Sequence, residues 1–149
     1  MSDLSIRQAE LTDVPALAEC FDIAYAPFKS KIPDLPNVSA GMSSAIEDKS
    51  VWVAEINKTL VGGIVLDPNE EYLILENVAV HPSASGSGVG KALIGYAESE
   101  CLRLGLREVR LSTHKGMEEN VSLYEHLGWR VVSVEGNKVN MSKSAQDFK

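Results

Sequence analysis

The 149-residue sequence is poor in cysteine, histidine and aromatic residues. Its two cysteines, Cys20 and Cys101, lie far from each other and from the three histidines, which excludes a zinc-ligand spacing and a CxxC redox pair. We therefore expect two buried thiols and no metal. No apolar run approaches the roughly 18 residues of a membrane span, and residues 1–9 do not resemble a secretory leader. These absences predict a cytoplasmic protein that does not bind membranes.

Positive charge is also scarce, with 14 Lys and Arg against 21 Asp and Glu and a formal net charge of −7. A protein that neutralises nucleic-acid phosphates needs the opposite balance, so DNA and RNA are excluded as partners. The length and the 44% hydrophobic content are typical of one soluble globular domain with a packed core, which we place over residues 1–149.

Hydrophobic periodicity and turn residues predict the order β-α-α-β-β-β-α-β-α-β-β, and this order predicts a single mixed α/β domain. Thr12 is the expected cap of the first helix, and Pro27 is expected to end it. The remaining predicted elements are a strand at Leu4–Gln8, a helix at Ala40–Glu47, strands at Val51–Ile56, Leu60–Leu66 and Tyr72–Val80, a helix ending near Leu104, a strand at Glu108–Thr113, a helix at Glu118–Leu127, and strands at Arg130–Val134 and Lys138–Ser142.

The segment Tyr72–Val80 is almost entirely apolar and rich in β-formers, which predicts the central strand of a sheet, buried on both faces. Glu76 interrupts this run. A carboxylate in such a strand either forms a structural ion pair or serves as a base whose pKa burial raises, and the sequence leaves both interpretations open.

The strongest functional signal is Ser85-Gly86-Ser87-Gly88-Val89-Gly90-Lys91-Ala92, which lies between this strand and a predicted helix. Glycines let the backbone approach a ligand, and a helix start offers unpaired N–H groups, so an anionic group is expected here. A nucleotide loop of the form GxxxxGK[ST] does not match, because Ser85 replaces the first glycine and Ala92 replaces the hydroxyl that would bind magnesium. A GxGxxG dinucleotide fingerprint fails as well.

Together with its flanks, this segment resembles the central motif of the GNAT superfamily of acetyl-CoA-dependent N-acetyltransferases, a strand followed by V-x-P, [QR]-x-x-G-x-[GA] and a helix. The matching residues are Val80-His81-Pro82 and Ser85 to Gly90. The opening IRQAELTDVPAL and the late NVSLYEHLGW also resemble the family. Ser85 stands where Gln or Arg is usual, Met117 where many members carry Asn, and Asn120 where many carry Ala.

The resemblance implies a mostly antiparallel sheet that is flanked by helices and splayed near its middle. It further implies direct transfer of acetyl from acetyl-CoA to an amine of a small molecule or a peptide. A non-catalytic acyl-CoA-binding or regulatory module with the same fold is the alternative, and a nucleotide hydrolase is a weaker third interpretation. The oligomeric state stays open, with a homodimer among the alternatives.

The resemblance also assigns roles to residues. Tyr124 is the expected proton donor to the leaving thiolate and Glu76 the expected base, while backbone groups of the central strand would pair with the pantetheine arm. The implied acetyl-CoA-binding residues are Val78, Ala79, Val80, Ser85, Gly86, Ser87, Gly88, Val89, Gly90, Lys91, Asn120 and Tyr124. Candidates for the acceptor pocket are Tyr25, Phe28, Lys29, Lys31 and Tyr72, whereas His81, His114 and His126 are expected to be solvated.

Overall fold

A computed structural model describes residues 4–29, 41–48 and 50–148. The predicted position of Lys31 and the predicted helix start at Ala40 lie outside these ranges. The strands are β1 (Leu4–Gln8), β2 (Ser50–Ile56), β3 (Thr59–Pro68), β4 (Leu73–Val80), β5 (Glu108–His114), β6 (Arg130–Glu135) and β7 (Lys138–Ser144). The helices are α1 (Val14–Lys29), α2 (Met42–Asp48), α3 (Val89–Arg103) and α4 (Glu118–His126), with short 3₁₀ helices at Leu11–Asp13, Pro82–Ala84 and Ala145–Asp147.

The seven described strands form one sheet in the order β1-β2-β3-β4-β5-β7-β6. Every neighbouring pair is antiparallel except β4 and β5, which are parallel. The crossover between these two parallel strands contains α3, as a parallel connection requires. The predicted mixed α/β fold with a mostly antiparallel sheet is therefore confirmed, and β4 is its central strand.

Two adjacent glycines in β3 let helices approach both faces of the sheet. An added Cβ at Gly62 would lie 3.1 Å from Val89 Cγ1, at the start of α3, and one at Gly63 would lie 2.5 Å from Leu17 Cδ1 in α1. Successive residues of a strand point to opposite faces. The glycine pair thus brings α3 close on one face and α1 close on the other.

The buried apolar side chains form two clusters, one on each face of the sheet. The larger contains residues of α3 and α4 with residues of β2, β3, β4, β5 and β7, and the smaller contains residues of α1 and α2 with residues of β2, β3 and β4. Cys20 and Cys101 are both free and buried, as predicted. Burial raises the pKa of the Cys20 thiol to about 11, so it stays protonated at neutral pH.

The first helix differs from its prediction at both ends. Its start is organised by Glu10 and Asp13, which bond each other's backbone amides in a capping box, so the predicted cap at Thr12 is wrong. At its other end α1 continues through Pro27 to Lys29. A proline in the last turn of a helix forfeits a single hydrogen bond, which does not end the helix.

The central strand is also less buried than predicted. Leu73, Leu75 and Ala79 are buried, but Ile74 and Glu76 are only half-buried, as are the remaining residues of β4. The prediction of burial on both faces is therefore wrong. Its physical cause is the divergence of β5 from β4, which leaves part of the strand without a neighbour.

Within the described ranges, no helix is long and apolar enough to cross a bilayer. The same residues contain no group of three or more His, Cys, Asp or Glu side chains that could hold a metal ion.

Candidate active site

The two parallel strands at the centre of the sheet separate soon after they meet. β4 and β5 pair only at Leu73 with Val109 and at Ile74 with Arg110. On its other side, β4 stays paired with β3 as far as Val80, which lies opposite Gly62. The edge of β4 that faces β5 is therefore unpaired from residue 75 onwards. Unpaired strand edges bind extended chains by backbone hydrogen bonds, so this opening is a candidate ligand site.

A β-bulge in β4 lies beside this opening. Ile64 and Val65 of β3 pair with Val78 and Asn77, but the next residue pairs with Leu75, so Glu76 is the extra residue on β4. Bulges bend a strand and re-aim a side chain, and they are over-represented next to active sites. Glu76 is half-buried and makes interactions within the structure. The sequence pattern singled out this residue but contained no sign of the bulge.

A tyrosine from α1 reaches the same strand. The Tyr25 hydroxyl donates a hydrogen bond of 3.3 Å to the Val78 carbonyl, and its ring packs between Phe21 and Phe28. Burial raises the pKa of Tyr25 to about 12, so the hydroxyl stays protonated and can donate. The sequence placed Tyr25 among the acceptor-pocket candidates without revealing this contact, because 53 residues separate the two partners.

The loop after β4 takes a conformation that needs two of its glycines. Gly86 has φ +82° and Gly88, the N-cap of α3, has φ +85°, a region that residues with a Cβ rarely adopt. An added Cβ at either position would meet no protein atom within 4 Å, which leaves open space around the loop. Gly90 has no such strain, and an added Cβ there would lie 3.5 Å from Val80 Cγ2, an ordinary contact distance.

Some backbone amides of this loop donate hydrogen bonds within the protein, and others do not. The Ser85 amide donates to the Pro82 carbonyl at 3.1 Å, and the Ser87 amide donates to the Ala84 carbonyl at 3.2 Å. The first helical hydrogen bond of α3 runs from the Ala92 amide to the Gly88 carbonyl at 3.0 Å. No hydrogen bond within the described part of the chain uses the amides in between, which belong to Gly86, Gly88, Val89, Gly90 and Lys91.

These free amides lie on an exposed loop at the start of a 15-residue helix, where the helix dipole favours negative charge. The exposed Lys91 adds a cation in the first turn. The arrangement therefore suits a phosphate or pyrophosphate group. It needs no excess of basic residues elsewhere in the chain.

Tyr124, in α4, is the predicted proton donor. Its side chain is 6% exposed and packs on Trp129, with ring centroids 5.6 Å apart. Burial raises the pKa of Tyr124 above its usual value, and the nearby Tyr25 raises it further. Its hydroxyl makes no hydrogen bond to any described residue. A protonated, unpaired hydroxyl in a buried setting is suited to donate to a ligand.

Met117 and Asn120 lie at the start of the same helix. Met117 is buried, and its sulfur accepts weak contacts of 3.9 Å from Thr113 Oγ1 and from Asn120 Nδ2. Asn120 is half-buried, and its backbone N–H donates to the Met117 carbonyl at 3.0 Å. This arrangement orients Asn120 at the edge of α4, and the cofactor role assigned to it stays a prediction.

Of the three histidines, His81 and His114 are half-buried rather than solvated. In each, Nδ1 accepts a hydrogen bond from a backbone amide two residues later, at 3.1 Å for His81 and 2.9 Å for His114. They therefore stabilise turns. His126 is exposed at the end of α4, as expected.

A groove of about 650 Å³ lies near the closed end of the β4–β5 pair and was not predicted. Arg110 lines this groove, with its guanidinium 3.8 Å from the centroid of the Tyr72 ring and a hydrogen bond to Glu108. Tyr72 was a candidate for the acceptor pocket, and it does line a groove. Arg110 carried no distinguishing signal in the sequence, because a strand arginine is ordinary.

The fold is that of a GNAT acetyltransferase. A model of the Acetyltransferase (GNAT) family matches residues 17–129, and the chain belongs to that family. The predicted family and class of enzyme are thereby confirmed.

Among curated proteins, an uncharacterized N-acetyltransferase, YjgM of Escherichia coli K12, is 29% identical over 82 residues. That alignment spans about half of each chain, 52% of this one and 49% of the relative.

Two solved structures share the fold at low sequence identity. PaiA N-acetyltransferase from Thermoplasma acidophilum, solved with coenzyme A, has a TM-score of 0.81 at 22% identity and covers 95% of this chain and 99% of its own. YncA from Salmonella typhimurium, a putative acetyltransferase solved with acetyl-CoA, has a TM-score of 0.76 at 20% identity. The match covers 97% of this chain and 95% of the YncA chain.

Proposed function

We propose that this protein transfers the acetyl group of acetyl-CoA to an amine of a small molecule or a peptide. The observation that carries the proposal is the opening between β4 and β5, where an unpaired strand edge runs directly into a loop with unused amides. An extended arm that ends in a pyrophosphate matches both parts. Two structural neighbours solved with coenzyme A or acetyl-CoA support the same choice of ligand.

The residues fit acetyl-CoA along its length. Val78, Ala79 and Val80 lie along the opening, where backbone groups that are bonded neither to β3 nor to the Tyr25 hydroxyl can pair with an amide-bearing arm. The loop from Ser85 to Lys91 would hold the pyrophosphate, mainly through the amides that Ser85 and Ser87 do not already use. Asn120 and Tyr124 lie on α4, and we assign them to the arm and to the thioester end.

When bound, acetyl-CoA supplies an activated acetyl thioester and a thiol leaving group. The protein's part is to orient the acceptor amine and to manage protons. A lysine-like amine has a pKa of roughly 10.4 and is mostly protonated at neutral pH, so a base is useful. Glu76 is assigned that role, directly or through water, because it is the bulge residue of β4, in the stretch of strand that β5 leaves unpaired.

Tyr124 is assigned the role of proton donor to the leaving thiolate. Its hydroxyl stays protonated at neutral pH because burial raises its pKa, and it has no partner among the described residues. It can therefore donate a proton to the sulfur that leaves. A structural ion pair remains the competing role for Glu76, and an aromatic packing role is the competing one for Tyr124.

The acceptor is an amine rather than a nucleic acid, consistent with the net charge of −7. Two buried, unpaired thiols suit a reducing compartment, which supports a cytoplasmic location. No interaction with membranes is part of the proposal. Acetyl transfer does not require a particular oligomeric state; a homodimer is one alternative, since the last strand of the sheet, β6, has one edge that pairs with no described strand.

Titration calorimetry tests the binding half of the proposal. Acetyl-CoA should bind the protein with a stoichiometry of one per chain, and ATP with magnesium should not bind, because Ala92 cannot supply the metal-binding hydroxyl. Binding of ATP with magnesium in the absence of acetyl-CoA binding would contradict the proposal. Acetyl-CoA binding with no thiol release on any amine would instead favour the non-catalytic acyl-CoA-binding module.

A further inference from the structure

The strand β6 has an unusual surface for the edge of a sheet. All six of its residues, Arg130-Val131-Val132-Ser133-Val134-Glu135, are exposed. The exposed fractions of Val131, Val132 and Val134 are 40%, 63% and 60%. Valine-rich edges with unpaired backbone groups are templates for another strand, and proteins usually protect them with lysine or proline. β6 contains neither of these residues.

Pairing with β7 shows which way these side chains point. Arg130, Ser133 and Glu135 lie opposite Ser142, Asn140 and Lys138. Those partners alternate along β7, and residues directly opposite each other share a face, so the two charged residues lie on the same face of the sheet.

Val131 and Val134 pair with Met141 and Val139, so they lie on the other face. Val132 is the extra residue of a bulge between the two halves of the strand.

The strand is complementary to an antiparallel copy of itself. A two-fold axis between Val132 and Ser133 places Arg130 opposite Glu135 of the second copy and Val131 opposite Val134. Both pairs match in face, and the first also matches in charge. By symmetry each pair occurs twice, as in any isologous interface.

We propose that a second copy of this chain docks on the exposed edge of β6, in this register, and joins two seven-stranded sheets into one. The pairing satisfies the open backbone groups of both edges and covers the exposed valines. The two Arg130–Glu135 pairs fix the register. This interface is a separate proposal from the acetyltransferase activity, since it uses none of the residues assigned to that activity.

Two features oppose the pairing. Bulges at sheet edges commonly block edge-to-edge association, and two chains of net charge −7 repel each other. The bulge at Val132 lies beside the axis, where it disturbs the two symmetry-related pairs of Val132 with Ser133 and leaves the flanking pairs intact. The long-range repulsion is screened beyond roughly 8 Å at physiological ionic strength. The interface is therefore expected at physiological salt.

Charge reversal tests both the surface and the register, with sedimentation equilibrium as the readout. Arg130→Glu places two glutamates opposite each other, and Glu135→Arg places two arginines opposite each other. Cross-strand like charges are destabilising, so each single reversal should raise the dimer dissociation constant roughly tenfold or more. The double variant restores opposite charges and should return the dissociation constant to within about threefold of the wild-type value.

Lys58→Glu is the matched control for Arg130→Glu, because Lys58 is exposed in the β2–β3 turn and both substitutions change the net charge by the same amount and sign. It should leave the dissociation constant unchanged. A wild-type chain that stays monomeric at its highest soluble concentration would overturn the proposal. So would a dimer indifferent to both single reversals, a double variant as weak as the singles, or an equal effect of Lys58→Glu.

Discussion

The hydroxyl of Tyr124 is protonated at neutral pH and has no partner among the described residues. If it donates to the departing thiolate, Tyr124→Phe removes that proton while keeping the ring that packs on Trp129. We expect kcat to fall by about 100-fold, the lower range for a general acid, with little change in acetyl-CoA affinity. Steady-state kinetics and calorimetry measure the two quantities.

Tyr96→Phe is the control for this substitution. Tyr96 lies on α3, where its ring packs on Trp52 with centroids 4.6 Å apart. The Tyr96→Phe variant should retain full activity. A Tyr124→Phe variant with an unchanged kcat would remove the proposed role and leave Tyr124 as a packing residue.

We assign Glu76 the role of catalytic base, and this role predicts how kcat/KM depends on pH. Glu76→Gln should abolish the acidic limb of the pH profile of kcat/KM, because a glutamine cannot accept the amine proton. Glu70→Gln, at an exposed turn before β4, should leave that limb in place. If the acidic limb persists in Glu76→Gln, another group is the base and Glu76 has a structural role.

For single residues, the sequence indicated which side chains can carry the chemistry but not how they are arranged in space. Tyr124 and Glu76 were identifiable because a motif and an apolar run surround them. The bulge that makes Glu76 the extra residue depends on the register between β3 and β4. The bond between Tyr25 and Val78 joins residues far apart in sequence. Neither feature has a local signal.

The loop before α3 needs its backbone conformation as well as its amides. Gly88→Ala forces a Cβ onto φ +85°, which costs about 1–2 kcal/mol of folding free energy or displaces the loop. Either outcome should be seen as lower stability, and displacement of the amides should weaken acetyl-CoA binding on the order of tenfold. Thermal unfolding and calorimetry measure these effects.

Gly105→Ala is a matched control at the other end of the same helix. Gly105 has φ +72°, and an added Cβ there also meets nothing within 4 Å. It should lose a similar amount of stability and keep its affinity for acetyl-CoA. Equal affinities in the two variants would show that the loop does not hold the ligand.

A second element-scale prediction concerns the junction of β1, β2 and α1. Arg7 donates to both oxygens of Asp13, at 2.8 and 2.9 Å, and to the carboxylate of Glu55. The hydrogen bonds from Arg7 lower the pKa of Asp13. A lowered pKa in the folded state stabilises the protein above the unfolded value of roughly 3.9 and loses that effect as pH falls through the folded value.

Asp13→Asn should therefore lower the free energy of unfolding at pH 7 by about 1–2 kcal/mol. The difference from wild type should shrink as the pH falls below roughly 4. Urea unfolding at several pH values measures it, and Asp147→Asn, at an exposed position, should change nothing. A difference that is constant across this pH range would contradict the assignment.

Among the secondary-structure elements, the sequence predicted every strand and α-helix that falls within the described residues, with shifts of a few residues at their ends, but none of the three short 3₁₀ helices. The glycine loop was predictable because its chemistry is local. Helix α1 continues beyond Pro27, and packing of Leu17 and Phe21 against β3 stabilises the helix. The separation of β4 from β5 was expected only from family resemblance, since strand divergence leaves no mark in either strand's composition.

For the whole molecule, the net charge of −7 excludes nucleic acid as a partner and, at long range, opposes the binding of an anionic ligand. Backbone amides and a helix dipole resolve this, because neither contributes to a count of charged side chains. The acidity of the remaining surface is then compatible with a cationic amine as acceptor.

The decisive measurement for catalytic acetyl transfer to an amine is the release of free thiol from acetyl-CoA across a broad panel of small-molecule and peptide amines. We expect thiol release above background with at least one amine, and a loss of about 100-fold in the Tyr124→Phe variant. Equal release by the wild type and Tyr124→Phe would remove only the role of Tyr124, whereas acetyl-CoA binding without thiol release on any amine would contradict the proposed activity.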